Sequence, residues 1–415
     1  MRSFSVMTEW RKLPVSLAEL RIDTVLRCGQ SFRWRKLDDE WHCVLKGRLV
    51  SLKQDSSNLY YNVTWPSRPP AVSSKHPSAV ITHPDEDDVR LLRSYFALSH
   101  SLSAMYEQWT ASDANFAKRA PAFAGIRILN QDAWETLVSF ICSSNNNISR
   151  ISQMVHKLCF HYGPHITTFQ GEIFHDFPTP EALTGPKVES HLRDLGFGYR
   201  AKYIAETARI LTEERPPGWL DSLRNPECPA LGAVKQEESD DKTAALPTYP
   251  AAQQALLGLS GVGPKVADCV CLMGLGWAEA VPVDTHVWQI AQRDYNFGKG
   301  VKTKTMNKAM YDAVGQHFRK IWGPQAGWAQ SVLFTANLKS FAAQASAAKE
   351  VVKEEVVKSE DKLVKVEDGA EPVRAVSVAR VTKRKVKSEG LVVPKVEEGD
   401  ETTLLRRSKR KKASS

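Results

Sequence analysis

The fold of this chain is decided by residues 256–289, LLGLSGVGPKVADCVCLMGLGWAEAVPVDTHVWQ. An apolar segment leads into Gly261 and Gly263, and glycines set this close permit backbone conformations that other residues resist. Pro264 suits the first turn of a helix, where its missing N–H is no loss. We therefore predict two helices joined by a tight hairpin over 256–275, with amides at the hairpin and the helix N-terminus that can bind an anion.

Lys265 opens the second helix of this hairpin, where the positive end of the helix dipole repels a cation. That repulsion, together with burial, favours the neutral amine, which is the form that attacks carbon. The loop 281–284, Val-Pro-Val-Asp, leads into a further helix, and Asp284 is its expected N-cap. One helix and one return loop separate the two side chains, so the amine and the carboxylate can meet in one cleft.

The hairpin alone does not establish an enzyme, because proteins that only bind DNA use similar hairpins and place the lysine on a phosphate. A non-catalytic DNA-binding or chromatin protein is therefore the alternative from another functional class. Such a protein has no need of the Val-Pro-Val-Asp loop. The combination of Lys265 and Asp284 favours an enzyme.

The composition narrows the class of partner and of cofactor. The chain has 415 residues, enough for two domains and tails, and its formal net charge of +9 suits a polyanionic partner. Its seven cysteines are scattered without a Cys-x-x-Cys pair, which argues against a zinc site or an iron–sulfur cluster and for a reducing compartment. No apolar run is long and uncharged enough to span a membrane, so we expect no membrane partner.

The N-terminal part predicts a sheet and the central part predicts helices. Short runs rich in aromatic and β-branched residues at 30–35, 41–45 and 58–65 predict an antiparallel sheet with one covered face. From residue 85 the apolar spacing becomes helical and stays so as far as Leu338. The predicted helices are 85–98, 101–110, 132–143, 147–162 and 199–212.

Two segments are too polar and too poor in aromatic residues to fold, and we expect disorder in both: an insertion at 225–250 and a tail at 341–415. Both contain Val-Lys-x-Glu units, which resemble the acceptor site for a small ubiquitin-like modifier, with biased low-complexity sequence as the alternative. Basic clusters at 383–387 and 406–412 indicate nuclear import or DNA contact. We expect a nuclear protein, and the basic residues of 1–21 leave a minor mitochondrial fraction open.

Two polar segments carry side chains that suit a gap in a DNA duplex. The stretch SSNNN at 143–147, followed by Arg150, can cap a helix or can enter a groove and hydrogen-bond a base left unpaired. The stretch GFGYR at 196–200 offers Tyr199 and Arg200, a ring and a guanidinium that can wedge between bases. The alternative for this tyrosine is packing at a helix start.

Three further side chains suit a pocket for one base. Gln330 and Phe334 lie four residues apart and share a helix face, where an amide can bind the edge of a base and a ring can stack on its plane. Phe334 taken alone suits a core position equally well. Cys269 lies one turn after Lys265, and it is either a thiolate stabilised by the ammonium or a small buried apolar group.

These motifs together resemble a known family. LSGVGPK at 259–265 with VPVD at 281–284 is similar to the helix-hairpin-helix DNA glycosylase superfamily. GQSFRW at 29–34, CSSNNN at 142–147, VADC at 266–269 and GWAQ at 327–330 narrow the resemblance to the eukaryotic 8-oxoguanine DNA glycosylases. The resemblance spans roughly residues 8–340, and the lack of a cysteine quartet separates the chain from endonuclease III-like relatives.

The resemblance implies a monomeric bifunctional enzyme without a required cofactor or catalytic metal, which flips oxidised guanine paired with cytosine out of double-stranded DNA. It implies that Lys265 attacks the sugar and forms a Schiff base that can eliminate the 3′ phosphate, and that Asp284 assists. The residues implied to bind the lesion are Gly29, Cys269, Gln330 and Phe334. The residues implied to bind the opposite cytosine and the DNA backbone are Asn145, Arg150, Tyr199, Arg200, His286, Gly261 and Gly263.

Two of these implied contacts have a direct chemical basis. The Gly29 carbonyl would accept the N7 hydrogen that only the oxidised base carries, because normal guanine presents a lone pair there and two acceptors repel. The hairpin amides would meet a phosphate, with a structural cation between them as one arrangement. A glycosylase with broader purine specificity is the alternative within the enzymes, and Gly29 with the Gln330/Phe334 pair argues against it.

The chain departs from the family pattern at three places. Pro264 stands where relatives often have a polar residue, and Asn337 stands where we expect an aspartate that supports His286. The insertion and the tail have no counterpart in the pattern. We predict an α+β fold with an N-terminal antiparallel-sheet domain (1–120), a helical glycosylase core (121–340) and a disordered C-terminal tail.

Overall fold

The computed structural model describes residues 9–66, 84–233, 246–298 and 307–342 of the chain. Within these ranges no helix combines the length and the apolarity that crossing a bilayer requires. The predicted tail lies outside the described residues from 343 onward, with its basic clusters, as does the Val-Lys-x-Glu unit of the insertion at 234–237. Phe341, the first residue of the predicted tail, is instead buried at the end of a short helical segment, so the expected disorder is wrong there.

Among the described residues, five strands form an antiparallel sheet near the N-terminus, as predicted. They are β1 (Arg11–Pro14), β2 (Arg35–Leu37), β3 (Glu40–Leu45), β4 (Arg48–Gln54) and β5 (Asn58–Thr64), in the spatial order β1-β5-β4-β3-β2. Lys46 and Gly47 connect β3 to β4 with φ angles of 49° and 77°, which is the positive-φ geometry that two-residue hairpin turns favour. Alternate residues of β5 are buried, so one of its faces packs inward.

The segment 30–34 is not a strand, although we predicted one there. Gln30 instead donates from Nε2 to the carbonyl of Arg127 (2.8 Å) and accepts from the amide of Leu129 (3.0 Å). The segment therefore docks on the helical part of the molecule, and strand pairing begins only at Arg35. This docking matters for function, because it places Gly29 against the core.

A second hairpin covers part of the other face of the sheet. Its strands are β6 (His165–Phe169) and β7 (Glu172–His175), joined by Gln170 and Gly171 at φ angles of 50° and 80°. Phe174 of β7 packs on Val44 and Leu49. The prediction of one covered face is therefore wrong for β3 and β4, and the helical prediction is wrong for 165–175.

The helical part contains both long and very short elements. The helices are α1 (Ile22–Val25), α2 (Pro84–Tyr95), α3 (Leu102–Ser112), α4 (Ala114–Ala117), α5 (Ala133–Ile141), α6 (Ile148–Tyr162), α7 (Val188–Asp194), α8 (Arg200–Arg209), α9 (Trp219–Ser222), α10 (Tyr249–Leu256), α11 (Pro264–Met273), α12 (Thr285–Tyr295), α13 (Lys308–Trp322) and α14 (Ala326–Asn337). Shorter 3₁₀ or π segments lie at Ala120–Phe123, Glu181–Leu183, Ile210–Glu214, Gly323–Gln325 and Lys339–Phe341. The predicted α+β class is confirmed.

The helices divide between the sheet and a separate helical core. α2 packs on the sheet, where the Nε1 of Trp34 donates to the hydroxyl of Tyr95 at 2.8 Å. α3 and α4 pack in the helical core instead, with the rings of Trp109 and Phe116 edge to face at 5.4 Å. We had assigned α3 and α4 to the N-terminal domain by sequence position, whereas their side chains belong to the core.

The expected disorder of 225–250 is wrong at both ends of that segment. The amide of Asn225 donates to the carbonyl of Leu275 (2.9 Å) and its side chain to that of Gly276 (3.1 Å), while Leu231 is buried. At the other end, Thr248 caps α10, which begins at Tyr249. The middle of the segment, 234–245, lies outside the described residues.

Candidate active site

The two helices and the hairpin predicted from the glycines are α10, the turn 257–263 and α11. Gly261 has a φ of 74°, and a Cβ built there would lie 2.5 Å from the Tyr203 ring, so both the backbone angle and the space require glycine. Gly263 precedes α11, and a Cβ built there would meet no heavy atom within 4 Å. Pro264 occupies the first turn. The N-terminal end of α11 is therefore accessible to an anion such as a phosphate group.

Asp284 caps α12, as predicted. Its Oδ1 accepts from the amide of Val287 at 2.9 Å, which fixes the carboxylate at the end of the Val-Pro-Val-Asp loop. Lys265 begins α11, and both side chains line one cleft with about 450 Å³ of empty space. The expectation that helix and return loop bring amine and carboxylate into one cleft is confirmed.

The same cleft collects the predicted base-binding residues from distant parts of the chain. Its lining comprises Cys28, Gly29, Gln30, Phe140, Lys265, Cys269, Met273, Pro282, Asp284, Gln330, Ser331, Phe334 and Thr335. All six residues proposed for catalysis and for the lesion are in this set. They come from the segment that docks the sheet on the core, from α11, from the loop before α12 and from α14.

The amine of Lys265 is held by α5 and the residues after it. Its Nζ donates to Ser143 Oγ at 3.0 Å and lies 4.7 Å from the centroid of the Phe140 ring. Asp284 lies in the same cleft, and its hydrogen bond is to the α12 backbone. Among the described residues, the two groups form no ion pair within 4 Å of each other. The amine is therefore held by the Ser143 hydroxyl and the Phe140 ring.

Cys269 is a neutral thiol. Burial raises the pKa of its thiol to about 12, and the charge of Lys265 opposes this shift without cancelling it. The side chain is 2% exposed. Of the two interpretations from the sequence, the thiolate is wrong and the small buried apolar group is confirmed.

Gly29 and Phe334 face each other across the cleft entrance. Gly29 has a φ of 90°, and a Cβ built on it would lie 3.0 Å from Ile148 Cδ1 and 3.9 Å from Phe334 Cε1. Phe334 is half-buried, and Gln330, one turn earlier on α14, is buried. A glycine here therefore keeps its backbone close to the ring and leaves room beside it.

His286 stands next to Phe334 with a polar neighbour of unexpected type. The two rings are perpendicular with centroids 5.7 Å apart, and Asn337 Nδ2 lies 3.4 Å from His286 Nδ1. The Oδ1 of Asn337 accepts from Arg293 at 3.0 Å. Because an amide nitrogen only donates, this arrangement makes Nδ1 an acceptor and puts the ring hydrogen on Nε2. An aspartate at 337 would favour the opposite placement.

The two polar segments predicted to meet a duplex gap lie against each other. The hydroxyl of Tyr199 donates to the Ser144 carbonyl at 3.1 Å, and Arg200 donates to the same carbonyl and to that of Asn145 (3.3 Å). Tyr199 is 47% exposed, and its ring also lies edge to face with that of Tyr203 at 5.8 Å, so its role as a wedge stays a prediction. Asn145 has a φ of 47°, and Arg150 is exposed at the start of α6.

Two residues of this region escaped the sequence analysis in any chemical role. Ser143 was noted only as part of the polar stretch, although its hydroxyl contacts Lys265. Asp268 lies 1% exposed in the apolar α11 and accepts from Tyr249 (2.8 Å), Gln253 (2.5 Å) and Tyr311 (2.5 Å). An aspartate inside the otherwise apolar run VADCVCLM was the available signal.

The described residues contain no group of three or more His, Cys, Asp or Glu side chains arranged to hold a metal ion. The site's chemistry is carried by one amine, one carboxylate, one amide and a ring. That set suits nucleophilic substitution at carbon beside a bound base.

Comparison with known proteins identifies the family of the chain. Residues 12–137 match the N-terminal domain of 8-oxoguanine DNA glycosylase, and 138–314 match the HhH-GPD superfamily of base excision DNA repair proteins. The chain is 40% identical to an N-glycosylase/DNA lyase of Saccharomyces cerevisiae over 79% of this chain and 86% of that protein. It is 34% identical to the N-glycosylase/DNA lyase OGG1 of Arabidopsis thaliana over 80% of each.

Solved structures share the fold. The structure of MBOgg1 in complex with a low-affinity DNA ligand aligns with a TM-score of 0.60 at 26% identity, over 80% of this chain and 97% of that one. An 8-oxoguanine glycosylase/lyase of Clostridium acetobutylicum in complex with DNA aligns at 0.58 and 24% identity, over 79% and 97%.

Proposed function

Because this chain belongs to the family of eukaryotic 8-oxoguanine DNA glycosylases, we propose that it excises 8-oxoguanine paired with cytosine from duplex DNA and cleaves the resulting abasic site. The observation that carries the proposal is the convergence on one cleft of the six residues expected to perform the reaction and to bind the lesion. A protein that only grips DNA would need the hairpin but not this cleft.

Lys265 is the nucleophile in this proposal. Its amine forms a bond to C1′ of the damaged nucleotide while the N-glycosidic bond breaks, and the electron pair of that bond leaves with the base, which takes up a proton. The adduct opens to a Schiff base, and loss of a C2′ proton then expels the 3′ phosphate. The carboxylate of Asp284 in the same cleft stabilises the positive charge that develops on the sugar.

The cleft walls supply recognition of the lesion. The flipped base lies between Phe334 and the neutral thiol of Cys269, whose lack of charge suits an apolar stacking surface. Gln330 binds the Watson–Crick edge. The Gly29 carbonyl accepts the N7 hydrogen of the oxidised base. A Cβ built on Gly29 would lie 3.9 Å from Phe334 Cε1, so the two residues are close enough to hold one base together. This set favours 8-oxoguanine over a broad range of purines.

The segments 143–150 and 196–200 meet the opposite strand. Asn145, Arg150 and Arg200 bind the cytosine left unpaired, and Tyr199 enters the stack between bases. The exposure of Tyr199 and Arg150 and the contact between the two segments support this assignment. His286 and the amides at Gly261 and Gly263 bind phosphates, with a cation at the hairpin as part of the proposal.

Three further properties complete the proposal, and the first two depend on segments outside the described residues. The basic clusters at 383–387 and 406–412 direct the protein to the nucleus, and the Val-Lys-x-Glu units accept a small ubiquitin-like modifier. The enzyme acts as a monomer. Fluorescent fusions with each basic cluster removed test the first property, because loss of both clusters is expected to abolish nuclear accumulation.

Borohydride trapping tests the central proposal. The protein is incubated with duplexes that carry 8-oxoguanine opposite cytosine or adenine, and the reductant converts the Schiff base into a stable adduct. We expect an adduct opposite cytosine, less opposite adenine, and none with Lys265→Gln. Lys53→Gln, on the exposed surface of the sheet, is the control for loss of one positive charge.

Salt-sensitive binding of every duplex without an adduct would contradict the proposal and leave a DNA-binding protein. Equal adducts on several oxidised purines would support the broader-specificity alternative instead.

A further inference from the structure

Ser143 contacts the amine of Lys265, and its hydroxyl hydrogen is already used in another hydrogen bond. The hydroxyl donates to the carbonyl of Phe140 at 2.7 Å and accepts from Lys265 Nζ at 3.0 Å. A serine hydroxyl has one hydrogen, so in this arrangement it can only accept from the amine. The direction of the Lys265–Ser143 hydrogen bond is therefore fixed by the helix end on which Ser143 sits.

This direction has a consequence for the nucleophile. A neutral amine that must donate one N–H to Ser143 keeps its lone pair free, whereas a partner with a free hydrogen would occupy that lone pair. The Phe140 ring, 4.7 Å from Nζ, bounds the amine on another side. Phe140 lies in the last turn of α5 and Ser143 lies two residues after its end, bonded back to the Phe140 carbonyl, so the C-terminal end of this helix restricts where the amine can point.

The same two neighbours stabilise the charged form before reaction. An ammonium is a stronger donor to the hydroxyl oxygen than a neutral amine, and it is attracted to the ring face. Removing the hydroxyl takes away this acceptor and one of the contacts that orient the amine.

We propose that Ser143 is a positioning residue for Lys265, which orients the amine through one accepted hydrogen bond and keeps its lone pair available for attack on the sugar carbon. The inference rests on the proposed function, since it assumes Lys265 to be the nucleophile. Ser143 itself touches neither the base nor the sugar in this assignment, and its contact is with the amine of the nucleophile. It acts through the lysine.

The test measures single-turnover adduct formation over a pH series for the full-length wild type, Ser143→Ala and Ser143→Thr. For the alanine variant we expect the plateau rate to fall about five- to tenfold, which is the loss of one ordinary hydrogen bond in the transition state. We also expect the pH of half-maximal rate to move downward. Threonine, which retains a hydroxyl, is expected to restore both values towards wild type.

Ser139→Ala is the matched control, because Ser139 is a buried serine one turn earlier on α5. It is expected to keep the wild-type rate and midpoint. Duplex affinity is measured for each variant, and an unchanged affinity shows that the effect lies in the reaction step. If the alanine variant is unstable, Ser143→Cys replaces it, because a thiol is a poor acceptor of similar size.

An alanine variant with the wild-type plateau and midpoint overturns the inference. Equal loss of rate in the alanine and threonine variants, with an unmoved midpoint, also overturns it, because that pattern indicates only a structural role. Absence of an adduct in the wild type is a different failure, which removes the proposed function itself.

Discussion

Asp268 places an ionisable group where burial opposes its charge, and this makes the stability of the helical core depend on pH. Burial raises the pKa of its carboxyl to about 6, against the hydrogen bonds from Tyr311, Tyr249 and Gln253 and the charge of Arg319, which lower it. The side chain is 1% exposed, so solvent screening is small. In the unfolded chain an aspartate titrates near pH 3.9.

The sign and size follow from these two values. The folded state binds the proton more tightly, so the stability linked to protonation is fully present below about pH 4 and is lost as pH rises through about 6. A difference of about two pKa units corresponds to roughly 3 kcal/mol. Asp268→Asn removes the titration while it keeps the size of the side chain.

The assay is urea unfolding of wild type and Asp268→Asn at a series of pH values from about 4 to about 7.5. Other groups titrate in both proteins, so the informative quantity is the difference between their free energies of unfolding. We expect this difference to shift by about 3 kcal/mol in favour of the asparagine variant as the pH rises. Asp312→Asn, next to Tyr311 on α13, controls for the change in net charge. A difference that stays constant over the whole range would refute the argument.

Three further predictions concern packing. Arg33→Met removes the ion-pair partner of the buried Glu135 carboxylate (2.7 Å) and is expected to lower the free energy of unfolding in urea by about 3–5 kcal/mol. The double variant Arg33→Met/Glu135→Gln is expected to recover part of this loss, and equal losses in the two variants would contradict the argument. A chain ending at residue 342 is expected to retain excision. A chain ending at residue 340 lacks the buried Phe341 and is expected to lose about 3–5 kcal/mol of its free energy of unfolding. Equal melting temperatures of the two truncated chains would contradict this second expectation. Gly261→Ala is expected to lower the free energy of unfolding by at least about 1–2 kcal/mol and to weaken duplex binding, because Gly261 has a left-handed φ and a Cβ there would collide with the Tyr203 ring. Gly258→Ala is the control, since Gly258 has an ordinary φ.

The parts of the structure that depend on local chemistry were predictable from the sequence. Gly261, Gly263 and Pro264 determine a hairpin and a helix start by their own backbone preferences, and Asp284 caps the next helix for the same reason. Helical spacing suggested Gln330, Phe334 and Cys269 as candidates for a base pocket, whereas Gly29 came from the family resemblance alone. Their convergence on one cleft needed the structure, because the segments that carry them are far apart in the chain.

The parts that depend on tertiary packing were not predictable. The residues of β4 do not alternate between buried and exposed, because the β6–β7 hairpin covers the second face of this strand. The alternating pattern that predicts a strand with one buried face is therefore missing. The hairpin itself offered a Gln-Gly turn within a region whose apolar spacing suggested helices. The bond between Ser143 and Lys265 joins residues 122 positions apart, and no local rule reports such a contact.

In the proposed assignment of Arg200 to the opposite cytosine, recognition of that base is a competition between hydrogen-bond acceptors, because Arg200 also bonds to two backbone carbonyls. In the DNA-free protein its guanidinium already bonds to the oxygens of Ser144 and Asn145. An unpaired cytosine offers two acceptors, O2 and N3, so exchanging carbonyls for base costs little. An adenine offers only N1 on that edge and leaves the exchange one bond short. In this assignment Arg200 therefore favours cytosine over adenine as the opposite base by about one hydrogen bond.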